Sequence, residues 1–117
     1  MKGNAIRQGF SSWFLIFSVA ETQYFLKDNK GLCDQNEMIG TQAECTEAIL
    51  QLQSRGLHLT FGGTSGSNPL WPKGCYRHTG DNFGYWNSAA SGESNINARP
   101  ICKGKWIETI KINYLEI

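Results

Sequence analysis

The sequence predicts a small α+β domain in which one helix packs on a small antiparallel sheet and two disulfides staple the fold. Three observations lead there. A capped stretch with a single apolar face covers 42–55, several short aromatic and β-branched runs are separated by turn residues, and four cysteines occur in only 117 residues. A chain of this length supports one small domain, whose core by itself barely offsets the conformational entropy lost on folding. With 40% hydrophobic and 18% charged residues the composition is that of a folded chain. The net charge of +1 provides no electrostatic basis for binding nucleic acid or a polybasic contact with a membrane surface.

Residues 1–20 have the layout of a secretory leader: Lys2 and Arg7 at the start, an apolar run Trp13–Val19, and small residues at Ser18–Ala20, with cleavage expected before Glu21. The apolar run is far shorter than the roughly twenty residues that cross a bilayer as a helix. The alternative is an N-terminal segment that stays attached and packs as a helix or strand. Removing 1–20 leaves 9 basic against 10 acidic side chains. The domain itself is expected over 21–104.

Gln23–Lys27 is aromatic and apolar and reads as the first strand, followed by turn chemistry at Asp28–Gly31. Thr41 is an N-cap with Glu44 three residues on, the pattern of a capping box. Cys45, Ala48, Ile49 and Leu52 then fall at i, i+3, i+4 and i+7, an apolar stripe. Glu47, Gln51 and Arg55 lie on the other face, and Gly56 is placed to end the helix. Leu57–Phe61 alternates like a short strand, and 62–69 is glycine-, serine- and proline-containing loop. Trp71–Tyr76 is a turn running into a strand, Thr79–Asn82 a hairpin turn, and Phe83–Asn87 the returning strand. Ser88–Asn97 is polar without periodicity, and Arg99–Lys103 is a last short strand. The segment 105–117 is apolar and alternating from Trp106 onward. It reads as an added edge strand, a docking tail, or sequence outside the domain.

Cys33, Cys45, Cys75 and Cys102 are separated by 11, 29 and 26 residues, with no C-x-x-C pair, and His58 and His78 lack zinc-ligand spacing. In a short exported chain such cysteines read as two disulfides. Three pairings are possible. Cys45 lies on the buried stripe of the helix, where it meets the strand carrying Cys75, which favours Cys45–Cys75 with Cys33–Cys102.

Tyr24-Phe25-Leu26, Cys33, Ile39-Gly40-Thr41, Glu44-Cys45, Ala48, Trp71-Pro72-Lys73-Gly74-Cys75-Tyr76, Tyr85-Trp86-Asn87 and Ile101-Cys102 together resemble a small secreted four-cysteine module (W-P-x-G-C-Y) widespread in marine microalgae and related protists. The resemblance spans about residues 22–104 and implies a compartment and an architecture; the module has no settled activity. A weaker likeness to C-type lectin domains runs through Trp86-Asn87 and Arg99–Cys102, but Ser88 stands where an Asp is expected and no Glu-Pro-Asn calcium loop occurs.

The residues offer little for catalysis. Cys75 and His78 are three apart, which places them on opposite faces of a strand. Glu44 and Glu47 are explained by capping and by a solvated helix face, and no opposing carboxylate suits glycoside hydrolysis. The loop 62–67 lacks the Lys-Ser/Thr of a phosphate cradle. Asp28, Asp34 and Asp81 are too scattered for calcium. No metal or cofactor is expected, and no enzymatic activity.

The remaining signal is aromatic. Trp71, Tyr76, Phe83, Tyr85 and Trp86 crowd together beside Arg77, Asn82 and Asn87. Phe83, Tyr85 and Asn87 share one face of their strand and Trp86 takes the other. One set fills the core, and the other suits a glycan or protein partner. Trp71, Tyr76, Tyr85, Trp86 and Asn87 are therefore the candidate binding residues. The expected function is a non-enzymatic secreted or lumenal binding or structural module. The alternative is a lumenal accessory subunit of a membrane complex, such as an algal photosystem assembly, held by its termini.

Overall fold

In the computed structural model the backbone is described over residues 14–114 and the side chains over 22–104. The basic start of the expected leader, with Lys2 and Arg7, lies outside the described residues, as do the side chains of the 105–117 tail. The elements are β1 (Phe14–Leu26), a 3-10 turn (Gln35–Glu37), α1 (Gln42–Ser54), β2 (Thr60–Gly66), β3 (Gly74–His78), β4 (Phe83–Asn87) and β5 (Ala98–Tyr114). The strands form one five-stranded sheet in the order β1-β5-β3-β4-β2. The fold is a small α+β domain, with one helix, a mixed sheet and two disulfides.

By contacts the chain divides into two units. Gln23–Gly104 is one, and the residues before Gln23 group with those after Gly104 in the other. The second is described only through the backbone of β1 and β5. β1 begins within the segment read as a leader, and β5 runs on into the tail; the leader reading rests on the sequence alone.

Helix α1 forms where its local signals place it. The Thr41 hydroxyl accepts a hydrogen bond from the Glu44 N–H at 3.1 Å, which satisfies an otherwise orphaned amide. Its C-terminus closes with the Leu57 N–H on the Leu52 carbonyl and the Gly56 N–H on the Gln53 carbonyl. This Schellman geometry needs the positive φ of Gly56 (93°). Cys45, Ala48, Ile49 and Leu52 are buried and join Tyr24, Ile39, Leu59, Cys75 and Ile101 in the core.

The capping box is only half realised. The Glu44 carboxylate accepts from the Tyr24 hydroxyl at 3.1 Å and pairs with Lys103 at 3.6 Å. Likewise Gln51 and Arg55 do more than face solvent. Gln51 Oε1 accepts from the Tyr24 N–H at 3.0 Å, and Arg55 Nη1 donates to the Tyr24 carbonyl at 3.1 Å. β1 is an edge strand, and the helix side chains satisfy backbone groups that an edge otherwise leaves open.

Two expectations are corrected. The strand expected over 57–61 lies at Thr60–Gly66, so most of the segment read as loop is strand. Its sequence, TFGGTSG, has little β-propensity, and its conformation comes from pairing with β4 along its length. That pairing is parallel, whereas β3 pairs antiparallel with both β4 and β5. The sheet is therefore mixed. Register shifts between Phe61 and Gly63 and between Thr64 and Gly66 bulge this outer strand, a device that twists an edge away from further pairing.

Cys33–Cys102 and Cys45–Cys75 are the two disulfides, and no cysteine is free. The pairing is the one the helix stripe favoured. Two such bridges fit an oxidising, secreted or lumenal compartment. Among the described residues no helix is long and apolar enough to cross a membrane.

Candidate functional site

The register of β3 against β4 sorts the aromatic residues between the two faces of the sheet. Cys75 lies opposite Trp86, Tyr76 opposite Tyr85, and Arg77 opposite Gly84. Cys75 is bonded to Cys45 of α1, and a Cβ on Gly84 would fall 2.4 Å from the Ile49 Cδ1 of the helix. Cys75, Gly84 and Trp86 therefore face α1, and Trp86 packs against the core. Tyr76, His78, Phe83 and Tyr85 point to the helix-free face.

On that face the rings form a connected cluster. Trp71, at the end of the loop before β3, stacks on Tyr76 with centroids 5.4 Å apart and planes 17° from parallel. It also lies 5.4 Å from His78. Tyr85 is 5.8 Å from Tyr76 and meets His78 and Phe83 edge-on at 6.5 and 6.4 Å. The stacked Trp71–Tyr76 pair and the two edge-on pairs are arrangements that the ring quadrupole favours, and the Trp71–His78 and Tyr76–Tyr85 pairs are tilted. Tyr76 is buried beneath its neighbours, Trp71, His78 and Tyr85 are half-buried, and Phe83 is 39% exposed.

Asp81 organises the polar rim. Its carboxylate accepts from the Phe83 N–H at 2.9 Å and from the Tyr85 hydroxyl at 2.9 Å. His78 Nδ1 lies 3.3 Å from Asp81 Oδ1. That contact lacks hydrogen-bond geometry, so the enclosed nitrogen has no bonded partner, and the pair is ionic only when the imidazole is protonated. Desolvation acts to raise the Asp81 pKa, but the Phe83 amide, the Tyr85 hydroxyl and His78 together hold it below the usual carboxylate range. Desolvation and the adjacent Asp81 carboxylate push the Tyr85 hydroxyl above 10. Burial raises Tyr76 as well, against an opposing hydrogen bond from Ser65.

Of the five candidate binding residues, the structure brings Trp71, Tyr76 and Tyr85 together. Trp86 is on the other face. Asn87 is fully buried, and its amide is a bracket for the loops. Nδ2 donates to the carbonyls of Asn68 (2.8 Å), Pro72 (2.9 Å) and Trp71 (3.2 Å), while Oδ1 accepts from the N–H groups of Asn68 (3.0 Å) and Ala89 (3.2 Å). Asn87 thereby fixes the backbone that presents Trp71. His78 and Asp81 belong to the cluster but were not among the candidates. His78 was legible as the residue two beyond Tyr76 on the same strand face; Asp81 lies in the turn, where no periodicity marks it.

Among the described residues no group of three His, Cys, Asp or Glu side chains is arranged to hold a metal ion. Fold and site define a disulfide-stapled α+β domain carrying an aromatic cluster on its helix-free sheet face. No protein-family model matches the sequence, and comparisons with curated proteins and with solved structures find no match.

Proposed function

We propose that this protein is a non-enzymatic binding module of a secreted or lumenal compartment that holds a glycan or protein partner on its aromatic face. The observation that carries this reading is the cluster of Trp71, Tyr76, His78, Tyr85 and Phe83 on the face that α1 leaves uncovered. Rings held by a rigid sheet and by neighbouring rings lose little conformational entropy on binding and bury large area, so truncation of one commonly costs 2 kcal/mol or more. Leu70 and Ile96 are 62% and 64% exposed, on loops tied together by the hydrogen bond that Asn95 Nδ2 donates to the Leu70 carbonyl. The four-cysteine-module resemblance supports the compartment.

The test compares Trp71→Ala with Trp86→Ala on glycan arrays and in pull-downs, after each fold is checked by circular dichroism. Trp86→Ala is expected to lose the fold because its ring packs against the core. Trp71→Ala is expected to keep the fold and lose the partner. If both unfold, the cluster is simply core.

A second reading, an accessory subunit of a membrane complex held by its termini, is favoured by the length of β1 and β5, which run beyond the Gln23–Gly104 unit. If both variants fold and bind as before, this reading gains. N-terminal sequencing of the native protein separates the two readings: a start at Glu21 removes the first part of β1 and supports the free module, and a start at Met1 supports the anchored subunit.

A further inference from the structure

A second concave site lies apart from the aromatic cluster, where three loops meet over β5. It is a cleft of about 270 Å³ lined by Leu32, Cys33, Met38, Pro72, Lys73, Ser91, Gly92 and Pro100. Pro100 is the register partner of Tyr76, so the cleft opens on the same helix-free side of the sheet. The larger groove of the domain, about 580 Å³, has a described lining from α1 and its cap alone, whereas the cleft is walled from several directions.

The walls of this cleft are built. Cys33 is tied to Cys102 of β5 by a disulfide. The Pro72 carbonyl is held by Asn87. Gly92 approaches so closely that a Cβ there would lie 2.3 Å from the Lys73 amide nitrogen and 2.4 Å from the Trp71 carbonyl oxygen. Leu32, Cys33, Met38 and the two prolines make the lining mainly apolar. Leu32 is 48% exposed at its mouth, and the thioether of Met38 can adapt to an occupant. Lys73 is the one charged residue among the described lining.

We propose that this cleft binds a small monocarboxylate with a compact apolar body. The volume decides the size. At about 30 Å³ per water it holds about nine waters, which leaves room for a six-carbon acid and is below the range of drug-sized ligands. The lining decides the chemistry: an apolar interior gains by displacing water, and exposed Lys73, the one charged residue among the described lining, prefers an anionic head left partly in solvent.

The experiment is a titration of the isotope-labelled full chain with hexanoate and, separately, with the neutral isostere hexanol, followed by amide and methyl chemical shifts. Saturable shifts centred on Leu32, Met38, Lys73 and Gly92 are expected, with hexanol binding roughly threefold to fivefold more weakly, the effect of a partly exposed ion pair. Lys73→Glu should remove that preference, and Leu32→Trp, which fills the mouth, should remove both ligands. If Leu32→Trp disturbs the fold, Ser91→Phe blocks the cleft from another wall. Shifts that do not saturate, equal affinity for acid and alcohol, or binding that survives the blocking variant in a folded protein would overturn the proposal.

Discussion

Replacing Asn87 by Asp tests how the domain holds its loops. The Asn87 amide is saturated: two N–H donors and two carbonyl lone pairs meet Asn68, Trp71, Pro72 and Ala89 within one buried site. Asp has the same size, so no cavity opens for water, but its carboxylate has no donor. The carbonyls of Asn68, Trp71 and Pro72 would then face an anion. Each buried polar group left without a partner costs about 1–3 kcal/mol, and losing two donors places the total at about 3–5 kcal/mol. That is a large fraction of the roughly 5–15 kcal/mol that holds a domain together, and it corresponds to a fall in Tm on the order of 15–30 °C. Burial among carbonyls raises the folded-state pKa of the new acid above its unfolded value of about 3.9. The deficit is therefore smallest below that value, where a protonated acid donates one bond, and grows as the pH rises. Urea unfolding followed by tryptophan fluorescence at neutral and acidic pH measures both. A neutral-pH stability within about 1 kcal/mol of the parent, or a deficit that does not shrink on acidification, would refute the bracket.

Three further outcomes are expected. Cys45→Ser should destabilise by about 3–4 kcal/mol, the chain-entropy value for a loop of this length, given the sequence separation of 30 between Cys45 and Cys75; a free Cys45 thiol in non-reducing mass analysis of the native protein would contradict it. Tyr24 has its pKa pushed up to about 12, by burial first and then by its bond to Glu44, so it contributes stability that is complete below about pH 10 and lost as the pH rises toward 12. An ultraviolet titration of tyrosinate should show this late ionisation, and Glu44→Gln should move it back toward the ordinary value. Gly92→Ala should cost about 1–3 kcal/mol because the new Cβ meets backbone atoms that cannot turn aside, while Gly40→Ala, with nothing within 4 Å of its Cβ, should be close to neutral in thermal unfolding.

The sequence by itself determined what local chemistry controls. The cap at Thr41, the stripe Cys45–Ala48–Ile49–Leu52 and the stop at Gly56 act within a few residues of one another, so the helix was legible and ends one residue earlier than expected. The hairpin of β3 and β4 was legible for the same reason, and the buried position of Cys45 on that helix pointed to its disulfide partner. Strand alternation also separated Cys75 from His78 and Trp86 from Tyr85. What only the tertiary structure decided is non-local. Thr60–Gly66 is a strand because β4 supplies parallel partners along its length, which a polar, glycine-rich run does not announce. Which set of alternating rings stays off the helix was settled by Gly84, whose missing side chain admits Ile49. Glu44, Gln51 and Arg55 show surface chemistry in the sequence and take their partners from β1, a distant strand. Asn87 reads as polar, and its burial arises because three backbone segments converge there with donors and acceptors that one amide can satisfy. Short-range signals set the elements; hydrogen-bond satisfaction and packing between segments far apart in the chain set which faces they present.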